Sequence, residues 1–86
     1  MCTYLTENIQ ASGSGKGADG WFGLSEVNVY FDHPVHASAD HTLNIDFRNP
    51  DRGPSARVAV ELSVETARAL VKAIESTLAA APSALV

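Results

Sequence analysis

Ten residues, Asp32 to His41, hold all three histidines of the chain, His33, His36 and His41, with Asp32 and Asp40 beside the outer two. Neutral imidazole is the commonest protein ligand for transition metals and the side chain that titrates nearest neutrality. The spacing His-x-x-His-x-x-x-x-His offers three nitrogen ligands, and Cys2 would add a thiolate if the N-terminus runs alongside. Such a set suits zinc best, with iron and copper as alternatives. Asp32 or Asp40 would then orient an imidazole from outside the coordination sphere. A zinc ion with an open position would lower the pKa of its bound water to about 7 and support hydrolysis or proton transfer. Without metal, the same residues could supply a Cys2 nucleophile with a histidine base, or a histidine acid and base pair. The plain alternative is three solvated loop imidazoles.

A small polar substrate of such a centre would be held near Lys16, Trp21 and Tyr30. Lys16 sits in Gly13-Ser14-Gly15-Lys16-Gly17, which looks like a phosphate loop. It lacks the longer glycine spacing, a Ser or Thr after the lysine and a following helix, so a flexible hairpin connection is the simpler reading. Trp21 and Phe22 could wall a pocket, although adjacent large aromatics more often anchor a loop or a subunit contact. Tyr4, Tyr30, Asp46, Arg57 and Glu61 share one strand parity and could bind a polar ligand. Cross-strand pairs of opposite charge and tyrosine also stabilise ordinary sheets, and that is the favoured reading.

The elements that must position these residues follow from periodicity. Apolar and polar residues alternate over Cys2–Ala11, Trp21–Asp32, Thr42–Arg48 and about 56–62, which predicts four strands. In the third, Leu43, Ile45 and Phe47 face the core and Thr42, Asn44 and Asp46 face away. Ser12 to Gly20, with four of the six glycines, reads as a loop. Pro34 makes His33 to Asp40 a connection between strands, and Asn49 to Pro54 is dense in turn formers. Ser63 is placed to cap a helix over about 64–81, whose Val64, Ala67, Leu70, Val71, Ile74 and Leu78 form one stripe ended by Pro82. Four strands followed by a helix predict an α+β fold: a four-stranded antiparallel sheet with one C-terminal helix packed on one face. A simple meander would bring Cys2, the histidine loop and the helix N-terminus to one edge.

Eighty-six residues with 45% hydrophobic content make a single domain spanning residues 1–86. A domain of this size buries only about 60% of its unfolded surface, so a homodimer is expected. Net charge is -4 and the six Lys and Arg residues are scattered, which disfavours nucleic acid. One cysteine excludes an internal disulfide. Neither a charged leader with an apolar stretch nor a membrane-length segment is evident, so a cytoplasmic protein off the membrane is expected.

The opening Met-Cys-Thr, the Gly-Ser-Gly-Lys-Gly followed by Gly20-Trp21-Phe22, and Asp32-His33-Pro34-Val35-His36-Ala37 together resemble a family of short uncharacterised actinobacterial proteins. The resemblance covers the chain to about Asn49 and implies a compact stand-alone domain, without an activity or a catalytic residue to carry over. The leading expectation is therefore a small metal-binding protein, zinc held by His33, His36, His41 and Cys2, whether or not it is an enzyme. A non-catalytic homodimeric module that binds small molecules or another protein, and a metal-free Cys and His catalyst, are the alternatives.

Overall fold

The computed structural model describes residues 5–86. Four strands, β1 (Thr6–Gly17), β2 (Gly20–Asp32), β3 (Thr42–Arg48) and β4 (Arg57–Leu62), precede one helix, α1 (Val64–Ala80). The strands form a single antiparallel sheet in the order β1-β2-β3-β4, so the α+β meander expected from alternation is present. Ser63 caps α1 as predicted: its hydroxyl accepts the Thr66 backbone N–H at 3.1 Å, satisfying a helix-end donor that would otherwise lack a partner. No helix among the described residues is long and apolar enough to cross a membrane.

The glycine-rich stretch is the first departure from expectation. β1 continues through it to Gly17, and only Ala18 and Asp19 form the turn before Gly20, whose φ of +109° suits glycine. A bulge between Gln10 and Gly13 shifts the register and bends the strand. The long hairpin then curls until its tip lies against the start of β4. A Cβ on Gly17 would stand 3.1 Å from the Phe22 ring, 3.3 Å from the Ser55 carbonyl oxygen and 3.5 Å from that of Arg57. These glycines permit close approach of strands where they were read as marking a loop.

The second departure concerns which face is covered. On β3 the polar parity is the buried one, with Thr42, Asn44 and Asp46 at 1%, 5% and 9% exposure, while Leu43, Ile45 and Phe47 remain half-buried. Among the described residues the buried apolar side chains are Phe22, Val27 and Ala56. α1 meets the apolar face at its start, where Val64, Ala67 and Arg68 stand across from Phe31 and Leu43. Beyond that turn its stripe is uncovered.

Candidate functional site: a polar cleft under the histidine loop

The end of β2, the start of β3 and the end of β4 share one end of the sheet, as the meander requires. Asp32 and Thr42 form the last pair of the β2 and β3 ladder, so His33 and His41 are the next residues out on the two strands. Their rings meet for that reason, with centroids 4.4 Å apart and planes tilted by 33°, and His41 also stacks on Phe31 at 5.4 Å. His33 Nδ1 lies 2.7 Å from the Asp40 carbonyl oxygen. A carbonyl only accepts, so that nitrogen carries the proton and the lone pair of the neutral ring falls on Nε2. The Asp32 carboxylate accepts the His33 backbone N–H at 2.7 Å. Asp32 thus fixes the loop backbone, and Asp40 orients an imidazole through its carbonyl where its carboxylate was expected.

His36 is held differently. The Glu61 carboxylate accepts three consecutive backbone N–H groups, from Val35, from His36 at 3.0 Å and from Ala37 at 3.1 Å. Successive amides of this kind form an anion-binding nest, and here the chain's own carboxylate occupies it. The Glu61 hydrogen bonds hold the loop on the polar side of the sheet, the side on which the Thr42 hydroxyl donates to the Asn44 amide oxygen at 2.6 Å and both residues are buried. Those hydrogen bonds hold the Glu61 carboxyl below its ordinary pKa. Because the folded value is depressed, the anchor contributes in full above the ordinary carboxylate pKa and is lost as pH falls through the lowered one. Amide exchange at Val35, His36 and Ala37 is expected to accelerate in acid beyond its intrinsic pH dependence, and Glu61→Gln is expected to abolish that step. Protection that is flat through the acid range would refute the anchor.

Beneath the loop lies an open cleft of about 720 Å³ lined by Tyr30, His36, Asn44, Asp46, Arg57 and Glu61, among others. Asp46 is its floor: the carboxylate takes a 2.9 Å ion pair from Arg57 Nη2 and a 3.3 Å hydrogen bond from the Tyr30 hydroxyl. Burial, followed by the Asp46 charge, pushes the Tyr30 pKa up, so the phenol stays a proton donor. Half of the Arg57 side chain is exposed and can turn further donors to a ligand. The residues lining the cleft therefore include a phenol, an amide, a guanidinium, two imidazoles and three carboxylates, a density of donors and acceptors suited to orienting a small polar molecule.

The remaining expected site residues lie elsewhere. Lys16 and Trp21 pair with each other at the hairpin tip, whereas Tyr30 pairs with Thr6 nine positions along β2, up to about 30 Å away at strand rise. Trp21 is 70% exposed beside a small hollow of about 150 Å³, so Lys16, Trp21 and Tyr30 do not line one substrate site. Cys2 and Tyr4 lie outside the described residues. Among the described residues no group of three or more His, Cys, Asp or Glu side chains is gathered to hold a metal ion. Glu61 as a loop anchor went unforeseen in the sequence, since its partners lie 24 to 26 residues away. Asp46, Arg57 and Tyr30 were visible only as members of one strand parity.

An antiparallel meander with a polar cleft on one face and a single C-terminal α-helix defines a small α+β protein. The chain belongs to DUF6295, a family of unknown function whose pattern matches residues 1–86. No curated protein and no solved structure matches it significantly.

Proposed function

We propose that the protein is a small-molecule-binding module that works as a homodimer, each copy holding a small polar ligand in the cleft under the histidine loop. The observation that carries this reading is the convergence of Tyr30, Asn44, Asp46, Arg57 and Glu61 on one concave surface. Arg57 would meet acceptor groups of the ligand, and the Tyr30 hydroxyl oxygen, whose proton is given to Asp46, would join the Asp46 and Glu61 carboxylates in accepting from its hydroxyl or amine groups. A melting screen against sugars, free amino acids and polyamines tests it. A ligand at about 100 times its Kd adds about 2.7 kcal/mol, which in a domain of this size raises Tm by about 10 °C or more. The rise is expected for at least one of these classes and is expected to vanish in Arg57→Ala. An equal rise in Arg57→Ala would place the binding elsewhere.

A second reading keeps the metal. The His33 and His41 rings meet beyond the last β2–β3 pair, and the Asp40 carbonyl favours the His33 tautomer whose lone pair is on Nε2, the form that would ligate a metal. Cys2, His36 or a carboxylate would complete a zinc site around that pair. Elemental analysis of untagged protein is expected to give stoichiometric zinc that falls at least about tenfold in His41→Ala. Substoichiometric zinc in both samples would remove this reading.

A further inference from the structure

The apolar side of this protein is unfinished. Along α1, Leu70, Val71, Ile74 and Leu78 are 41%, 57%, 51% and 57% exposed, although they recur at helical spacing on one stripe. On the sheet, Val29, Phe31, Leu43, Ile45, Phe47 and Val58 lie on the matching face and none of them is buried, whereas Val27 on the same face is. A folded monomer of 9.1 kDa is expected to expose about 4,900 Å². This chain exposes 6372 Å², an excess of about 1,500 Å² over that monomer scaling.

We infer that a second copy of this chain covers the α1 stripe and the apolar sheet face together. That excess is summed over the whole chain; an interface that drew all of it from each of two copies would bury about 3,000 Å², inside the range of obligate homodimers, whose interfaces resemble a domain core cut in half. The surface fits itself: it carries a ridge, the helix, and beside it an uncovered sheet face, as a two-fold contact requires. The charges bordering the stripe also balance, with Arg68 and Lys72 against Glu65 and Glu75. A helix adapted to anionic lipid would carry an excess of basic residues, which α1 lacks. This inference specifies the dimer of the reading above and is independent of its cleft.

The full chain is expected to sediment at twice 9.1 kDa. Its Tm is expected to climb as protomer concentration rises from about 1 to about 100 μM, because folding and association are coupled. Ile74→Ala is expected to weaken the dimer at least tenfold, and Ile74→Glu to abolish it, whereas Trp21→Ala at the hairpin tip leaves it intact. If Ile74→Glu fails to fold, the milder Ile74→Ala and the concentration dependence of wild-type melting still decide the matter. A monomer with a concentration-independent Tm would overturn both the dimer and this surface. A dimer that Trp21→Ala dissociates and Ile74→Ala does not would overturn the surface alone. A melting rise with ligand that is equal in Arg57→Ala and wild type, with the dimer mass unchanged, would sink the cleft alone, so the two readings fail separately.

Discussion

Arg57→Ala is expected to lower the unfolding free energy by about 1–3 kcal/mol, compared at equal protomer concentration. The Asp46 carboxylate is 9% exposed and draws its charge partner from one guanidinium, at 2.9 Å. Removing that partner leaves a buried anion with the Tyr30 hydroxyl at 3.3 Å as its remaining side-chain donor among the described residues. Breaking a fully buried pair costs about 3–5 kcal/mol, and the exposed half of Arg57 shows that water reaches this one, which brings the cost down. The Asp46→Asn/Arg57→Ala double variant should then be more stable than Arg57→Ala alone, because it removes the stranded charge. Urea unfolding of the cycle measures both effects. A loss below about 0.5 kcal/mol, the range of ordinary surface substitutions, would mean that Asp46 is solvated and the cleft floor is not built as described.

Gly17→Ala is expected to cost about 1–3 kcal/mol, the usual penalty for forcing atoms into a filled space. The Phe22 ring at 3.1 Å could turn aside, but the Ser55 carbonyl at 3.3 Å belongs to backbone leading into β4 and cannot. Moving it would open the contact between the hairpin tip and β4 that buries Ala56 and Phe22. Gly23→Ala provides the contrast, since a Cβ there meets nothing within 4 Å. That change is expected to be neutral or stabilising by up to about 1 kcal/mol, through the unfolded chain. Thermal or urea unfolding of the pair separates close approach from generic loss of glycine flexibility; equal effects would contradict the curled hairpin.

Much of the scaffold is legible in the residues. Alternation over Thr42–Arg48 marks β3, Ser63 marks the start of α1, and Pro34 marks the connection that carries the histidines. Alternation separates two faces but does not say which one the chain itself covers. Leu43, Ile45 and Phe47 were assigned inward because they are apolar, yet Thr42, Asn44 and Asp46 lie deeper. The histidine loop is tied to that same face by Glu61, and Arg57 and Tyr30 engage the Asp46 carboxylate there, contacts that depend on tertiary placement and leave no local pattern. The glycines of β1 misled for a related reason: a residue needed for close packing and one needed for a flexible turn look the same in sequence. The histidine cluster was half legible, since cross-strand geometry joins His33 to His41 while the Glu61 anchor holds the His36 backbone on the cleft side.

The most direct test of the cleft is an amide-resolved titration of the full-length, isotope-labelled protein with sugars, free amino acids and polyamines. Saturable shifts are expected at Tyr30, Asn44, Arg57 and Glu61 and in the loop amides of Val35 to Ala37, with the Trp21 region unmoved. Shifts confined to Trp21 and its neighbours, or no saturable change at any cleft residue across all three classes, would contradict the assignment of this surface as the binding site.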